Sequence, residues 1–527
     1  MYVFLIQPRS PARHQKTIAV LPFTNAGSDT EDEYFVDGVT EDIYMQLSKV
    51  AGLKVISMKT MMQYKGTKKT YAEIGDELKA GVLLEGNIGR TGDRFRIAAR
   101  LRTADDQAIL WSTSYEGGLK DLFDLESSIP VNIAGVLGAE LSAREKEQIE
   151  KKPTKSSNAY VSYIRGREYY YLYDKKDNEN AIVMFKKALD QDSTFALAYA
   201  GLGDAYAQRF IDHGFGGEWI DSAITMCNRA ISIDSTLAEG YKALGVVYYT
   251  KGWCRRALEQ NARAVGLNPG NADAVNNFGV MLNNKGDFEE GIRWIKKGLV
   301  LDPNQARGYV ICGEIYMDLM LDSIAEEYFM KAIQLEQNNL YAHADLVWLN
   351  LSQGKIQQAA EESEKTLAID PNDPSAIEVA GFVEFYRNRY EEARKYFEKI
   401  PAIESHSEGT AILAYMLLKN GKSKEAAGLF AKARDFWLKE ISDGNELGVI
   451  RYDLAALYAV FGNRDEAHKW LQEAVNVGWL DYRWAQLDRL MEDVSSDETF
   501  RQMMTEVRLE VERQQKNVAE YDRNGIE

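Results

Sequence analysis

Between about residues 158 and 480 the apolar positions fall in helical stripes, and small residues recur among them at a longer step. Gly245, Gly279, Gly313 and Gly381 stand on a 34-residue period, with Val347 in the remaining slot. Ala257, Gly291, Ala325, Ala359 and Ala393 keep the same step twelve residues later, and Pro269, Pro303 and Pro371 mark the unit ends. The pattern predicts two antiparallel helices per unit, with small residues where the helices cross closely and proline stopping the second helix. In the unit 238–271, Tyr241, Leu244, Gly245 and Tyr248 form the first stripe, while Ala257 and Ala264 lie on the second helix. Looser copies precede it at Gly166, Ala181, Phe185 and Ala188, and at Tyr199, Leu202, Gly203, Tyr206, Ala223 and Ala230. Both are expected to carry extra residues between their helices; the glycine-rich stretch 212–218 reads as a longer turn. Further copies follow at Leu413, Ala414, Ala426 and Phe430, and at Leu454, Tyr458, Ala467 and Leu471, giving about nine units.

From 17 to 141 the period changes, and an α/β domain is expected. Strands are predicted at 17–23, 53–57, 82–88, 94–101 and 108–115, and helices at 33–50 and 71–78. Residues 90–93 read as a hairpin turn. Within 94–101, Phe95, Ile97, Ala99 and Leu101 alternate with Arg94, Arg96, Ala98 and Arg100, which predicts one buried face and one solvated basic face.

The helical units resemble the tetratricopeptide repeat, or TPR, at nearly every signature position of the unit 238–271 and in the next units at Phe278, Gly279, Leu282 and Ile295, then Tyr309, Gly313, Tyr316, Ala325, Phe329 and Ala332. That resemblance implies an all-α superhelical solenoid, because one unit cannot bury its apolar faces alone. The N-terminal stretches Ile18-Ala-Val-Leu-Pro-Phe23, Tyr34-Phe-Val-Asp-Gly-Val-Thr-Glu-Asp-Ile43, Tyr64-Lys-Gly66, Glu73-Ile-Gly75, Leu84-Glu-Gly86 and Leu110-Trp111 resemble the TolB amino-terminal-like domain. In bacteria that domain commonly precedes TPR arrays in regulators whose front end is a nucleotide cyclase, a serine/threonine kinase or a winged-helix DNA-binding domain. Leu487-Asp-Arg-Leu490 and Ser496-Asp-Glu-Thr-Phe500 resemble the closing segment of such regulators, with Asp488-Arg489 where the family often has Asp-Pro. The implied organisation is a linker or truncated juxtamembrane tail at 1–16, a TolB-N-like α/β domain at 17–145, a TPR array at 158–480, and C-terminal capping helices and tail at 481–527.

Composition changes this picture little: 45% hydrophobic and 27% charged residues describe an ordinary folded chain. No apolar run approaches the ~20 residues that span a bilayer, so a cytoplasmic location is the default expectation. A membrane-associated or periplasmic location is the alternative if the N-terminus is truncated. The net charge of −17 lies mainly in the repeats, since residues 1–150 carry 18 basic and 22 acidic groups. An acidic surface repels a phosphate backbone, so nucleic-acid binding by the array is not expected. Cys227, Cys254 and Cys312 are read as buried structural thiols. Asn420-Gly-Lys-Ser423 has Met416 where a phosphate loop needs glycine, and the five histidines, at 14, 213, 343, 406 and 468, form no zinc-protease motif. The acids at 29–33 and Glu41-Asp42 are read as a helix start, and Asp37-Gly38 as a turn before it. No catalytic residue, cofactor or metal is expected.

What remains is the concave groove, lined in TPR proteins by positions two, five, nine and twelve of each first helix. Here these are Glu239, Lys242, Val246 and Tyr249; Asp273, Asn276, Val280 and Asn283; Arg307, Val310, Glu314 and Met317; Tyr341, Ala344, Trp348 and Leu351; and Ser375, Glu378, Phe382 and Phe385. The first half is polar and the second aromatic. Trp348, Phe382 and Phe385 either anchor a partner peptide or pack against neighbouring repeats. Lys242, Asn277 and Arg307 occupy three positions of a known carboxylate clamp, but Val246 and Ile311 fill the other two. The expected partner-binding set is therefore Lys242, Tyr249, Asn276, Asn277, Asn283, Arg307, Glu314, Trp348, Glu378, Phe382 and Phe385. The leading expectation is a non-enzymatic scaffold or sensor in bacterial signalling that recruits a protein or peptide and can form homo-oligomers. Two alternatives are the regulatory fragment of an adenylate cyclase or serine/threonine kinase, and an envelope or periplasmic assembly component.

Overall fold

A computed structural model describes residues 16–27, 32–400 and 407–524. The predicted linker 1–15, part of the acid run 29–33, and His14 and His406 lie outside these residues. The N-terminal sheet is built from β1 (Thr17–Val20), β2 (Thr24–Asn25), β3 (Lys54–Val55), β4 (Val82–Thr91), β5 (Arg94–Thr103) and β6 (Ile109–Gly118). Its order is β3-β1-β4-β5-β6, with β2 pairing β4. β1 runs parallel to β3 and β4, and β4, β5 and β6 form an antiparallel meander in which Ile88 faces Ile97 and Leu84 faces Leu101. On β5 Phe95, Ile97, Ala99 and Leu101 are buried, whereas Arg94, Arg96 and Arg100 are exposed, as the alternation predicts. The helices of this region are α1 (Glu33–Ser48), α2 (Met58–Met62), α3 (Tyr71–Leu78), α4 (Leu122–Val136) and α5 (Ala143–Glu150).

Nine helical hairpins follow among the described residues. They are α6 (Ser157–Tyr171) with α7 (Lys175–Gln191), α8 (Ala196–Ile211) with α9 (Glu218–Ile233), α10 (Ala238–Thr250) with α11 (Cys254–Leu267), and α12 (Ala272–Asn284) with α13 (Phe288–Leu301). Next come α14 (Ala306–Asp318) with α15 (Asp322–Leu335), α16 (Leu340–Ser352) with α17 (Ile356–Ile369), and α18 (Pro374–Tyr386) with α19 (Tyr390–Phe397). The last two pair α20 (Ser407–Lys419) with α21 (Ser423–Ser442) and α22 (Gly448–Val460) with α23 (Arg464–Asn476). Three C-terminal α-helices follow among the described residues: α24 (Tyr482–Leu487), α25 (Glu492–Ser495) and α26 (Glu498–Asn524). An N-terminal α/β domain thus precedes an all-α TPR solenoid. In the hairpin of α6 and α7 the additional residues lengthen the helices instead of the connection, which is only 172–174; in the next hairpin the turn 212–217 is long, as expected.

The 34-residue period has a direct packing cause. A Cβ on Gly313 would stand 2.3 Å from the Phe329 ring, and one on Gly245 would stand 2.4 Å from the Asn261 side chain. Gly279 and Gly381 face Ile295 and Phe397 in the same way, at 2.7 and 2.9 Å. Each opposing side chain lies sixteen residues on. The glycine lets the second helix of the hairpin seat a large residue against the first.

The chain divides into two compact units. The first holds the described residues up to Thr250 with Arg256–Phe278 and Lys297–Asn304; the second holds Lys251–Arg255, Gly279–Lys296 and the residues from Gln305 onward. In the first unit α1 packs on α4 and α6 and buries Phe35, Val36, Val39, Ile43 and Leu47. In the second, α26 runs along the array instead of only capping its end. Gln514 donates from Nε2 to the Gly286 carbonyl (2.7 Å), and Tyr316 donates to Asp522 (2.6 Å).

Candidate functional site

The first unit encloses a cavity of about 850 Å³ between the N-terminal domain and the first helices of the leading repeats. Its walls come from α1, α6, α8, α10 and α12, together with the end of α13. α1 is held there by charge. Arg167 of α6 reaches Asp42 from Nη1 at 2.6 Å and Glu41 from Nε at 3.1 Å, and donates from Nη2 to the Gly38 carbonyl at 2.8 Å. Tyr171 donates to Glu41 (2.7 Å), and Tyr160 donates to Glu126 (2.7 Å) and also bonds Asp42. Glu41 and Asp42 are therefore not the first turn of a helix but its middle. Asp37 and Gly38 also lie inside α1, not in a turn before it; a Cβ on Gly38 would meet Ile164 at 2.3 Å, so the glycine serves helix-to-helix contact. At the end of α1 Asn268 donates to Ser48 (3.0 Å), and the Ser57 amide donates to the Leu301 carbonyl (2.8 Å).

Lys242, the first predicted groove residue, lines this cavity with its Nζ 3.2 Å from Asp204. Burial opposes its charge, but Asp204, Tyr170 and Asp273 outweigh that and hold it above the ordinary lysine range. Its charge is thus already countered, which removes the principal cation of a carboxylate clamp. Burial, despite Lys242, raises the Asp204 carboxyl above its ordinary value; burial likewise raises Glu41, with Arg167 acting against it. Lys49 lies on the same wall, hydrogen-bonded to Gln46 Oε1 (2.9 Å) and the Gln148 carbonyl (3.4 Å), and burial lowers it. Tyr249 and Asn277 are half-buried in the same unit, and Asn276 is buried against Gly298.

The other predicted groove residues belong to the second unit. Phe382 and Phe385 are each 1% exposed. Trp348 meets Phe382 edge-on at 4.5 Å, and Trp484 of α24 covers both, at 5.3 Å from Trp348 and 5.9 Å from Phe382. Arg489 lies over the Phe385 and Tyr386 rings and donates to both backbone carbonyls. The aromatic half of the groove is thus occupied by the chain's own C-terminal segment. Asn283 is half-buried, and burial pushes the half-buried Glu378 up to about 7. Arg307 and Tyr341 are exposed on neighbouring first helices, the guanidinium 5.1 Å from the ring centre, with Glu314 at 3.5 Å from Arg307. Cys227, Cys254 and Cys312 are free and buried, and no group of ligating side chains suited to a metal occurs among the described residues. Nor is any described helix long and apolar enough to cross a membrane.

Sequence reasoning named Lys242 but missed Arg167 and the tyrosines of the cavity. The run Glu168-Tyr-Tyr-Tyr-Leu-Tyr173 at the end of α6 was the available signal.

Comparison with known proteins adds two domain matches. Residues 14–129 match the second domain of HilA/YgeH-like transcriptional regulators. Residues 242–306 match the tetratricopeptide repeat. The chain is 34% identical over 205 residues to the putative adenylate cyclase 3 of Rhizobium meliloti, covering 39% of this chain and 35% of that protein. It is 25% identical over 178 residues to a TPR repeat-containing protein of Methanocaldococcus jannaschii, covering 31% of this chain and 30% of the relative. The chain therefore spans about a third of the length of these relatives. Among solved structures, the MamA protein covers 34% of this chain and 92% of its own at 26% identity and a TM-score of 0.27. YrrB, described as a TPR protein with an unusual peptide-binding site, covers 38% and 96% at 24% identity and a TM-score of 0.28.

Proposed function

We propose that this chain is a non-enzymatic interaction module of a signalling protein: its repeats recruit a protein or peptide partner, and its N-terminal domain, of the TolB amino-terminal-like kind, serves as the sensor. The observation that carries the reading is the exposed pair Arg307 and Tyr341, stacked on adjacent first helices at predicted groove positions. Arginine and tyrosine are enriched among the residues that dominate binding energy, and here neither is consumed by the core. The buried Phe382 and Phe385 contribute only where a partner displaces Trp484. Crosslinked affinity purification from the source cells, with the full chain beside an Arg307→Ala, Tyr341→Ala variant, tests the reading. A partner retained by the parent and lost from the folded variant supports it; equal retention by both overturns the assignment of this surface.

A second reading, that the chain is the regulatory part of a larger signalling enzyme, is favoured by its identity with the putative adenylate cyclase. Deleting the coding segment and measuring cellular cyclic AMP discriminates: an altered level supports a cyclase partner, and an unchanged level leaves the scaffold reading standing alone.

A further inference from the structure

The N-terminal sheet ends on an open edge. β6 lies last in the strand order and is paired on one side only, with β5. Among the described residues the backbone of 109–117 makes no hydrogen bond beyond that ladder. The two-residue turn 92–93 makes Thr91 and Arg94 a hydrogen-bonded pair, and alternation from there fixes which groups face outward. Phe95, Ile97 and Ala99 of β5 bond towards β6, so Ser112, Ser114 and Glu116 of β6 turn their N–H and C=O groups away from the sheet. All three are exposed.

Edge strands are commonly guarded by lysine, proline, a bulge or a covering segment. β6 has neither lysine nor proline, and from Ala108 to Tyr115 it carries no charge. Its irregularity, opposite Leu101 and Arg102, sits at the Ile109 end and leaves 111–117 regular. The side chains of Ser112, Ser114 and Glu116 share the sheet face that carries Arg94, Arg96 and Arg100. Arg100 stands opposite Ser112, is exposed, and makes no hydrogen bond or ion pair among the described residues. Glu116 has there only an exposed contact with Arg94, at 3.2 Å. On the other face Tyr115 is 36% exposed, its ring centre 5.9 Å from that of Phe95.

We propose that β6 pairs antiparallel with β6 of a second copy of this chain, about a two-fold axis at Ser114. With Ser114 opposite its own counterpart, Glu116 falls opposite Ser112 of the second copy, and the relation holds in both directions. Arg100 lies one strand further in, roughly 10 Å away across two strand spacings. The long guanidinium and carboxylate side chains then meet over the small serine, once in each half of the pair. Moving the axis one residue, to Thr113 or Tyr115, sets Glu116 against Leu110 or Ser114, and β5 has no arginine directly across from either. On the other face Thr113 falls opposite Tyr115 of the second copy and covers its exposed ring. A second copy thus supplies at once an equally open ladder and the carboxylate that Arg100 lacks. The paired segment is short, and the net charge of −17 opposes approach, so the association is weak and belongs to the micromolar range.

Sedimentation of the full chain across the micromolar range, at ~0.15 M ionic strength to screen the general repulsion, tests this. The parent is expected to pass from monomer to dimer as its concentration rises. Ser114→Pro should weaken the dimer by roughly ten-fold or more, because it removes the outward N–H on the axis. Proline is tolerated where the N–H leaves the sheet, so the melting temperature of this variant should stay near the parent's. Glu116→Arg and Arg100→Glu should each weaken the dimer several-fold, and the two combined should restore it. If Ser114→Pro loses its fold, the charge exchange alone decides. A parent that stays monomeric overturns the proposal and leaves the edge to a strand of another protein. A dimer that a folded Ser114→Pro variant leaves unchanged, or a double variant no tighter than the single ones, overturns it too, since the contact then lies elsewhere. Pairing through β6 is independent of a partner at Arg307 and Tyr341, so the failure of one leaves the other standing.

Discussion

At the scale of single residues, the repeat is a matter of one methyl group. The position sixteen residues beyond each small residue of the first helix holds Asn261, Ile295, Phe329 or Phe397, and the glycine makes room for it. Where the first helix instead has Val347, the residue sixteen on is the buried Ser363, so a larger side chain on one helix is matched by a smaller one on the other. This exchange accounts for the one break in the glycine series as conserved volume, which close-packed interiors require. Gly313→Ala is expected to lose roughly 1–3 kcal/mol, because the added methyl would sit 2.3 Å from Phe329 with no open space to take it. Denaturant unfolding of the variant beside the parent measures this; unchanged stability would mean that the ring moves freely. Exchange at Gly354, which faces open space but has φ +71°, would instead be strained by its backbone alone.

Among elements, the informative pairings join parts of the chain with no repeat relation. α1 packs on α6 through Glu41 and Asp42, which meet Arg167 at a sequence separation of 125 for the Asp42 contact. In the second unit α24 brings Trp484 onto Trp348 and Phe382, and the Asp481 side chain caps that short helix by accepting from the Trp484 amide at 2.9 Å. Trp484→Ala should lose about 2–4 kcal/mol from the aromatic packing and uncover the Trp348 and Phe382 faces. Increased binding of an environment-sensitive apolar dye, with helical content retained, would show the uncovering; no change in dye binding would mean that other residues of the segment keep the groove closed.

For the molecule as a whole, charge is the dominant property. The net charge is −17, and burial raises three carboxylates of the repeats and C-terminal helices toward neutral pH. Burial pushes Glu378 up to about 7, Asp481 up to about 6, and Asp488 up to about 6, the last two against opposing hydrogen bonds. A carboxyl whose folded value exceeds its unfolded one binds protons more tightly when folded. Its ionisation therefore costs nothing below the unfolded value near 4, costs progressively more as pH rises through the folded value, and reaches its full effect above about 7. The melting temperature is expected to be higher at pH 5 than at pH 8. Glu378→Gln should match the parent near pH 4 and exceed it at pH 8 by up to about 3 kcal/mol, since one pKa unit corresponds to ~1.4 kcal/mol. A variant that gains nothing at pH 8 would show that Glu378 is solvated there.

The sequence alone determined the repeat, its helical hairpins, the long turn before α9, the alternation on β5 and the burial of the three cysteines. Each depends on a period or on side-chain size at a fixed step, and both are written along the chain. It also proposed concave positions, by carrying the register of a repeat from one unit to the next. Only the tertiary structure decided what covers those positions. The choice between a partner anchor and internal packing for Phe382 and Phe385 could not be made from spacing, since Trp484 belongs to no repeat. The cavity was equally hidden: Arg167, Asp204 and Asp273 stand on separate helices, and their charges acquire meaning only beside α1. Periodic contacts are local and repeat, whereas the closing of a groove depends on which distant segment folds back to fill it.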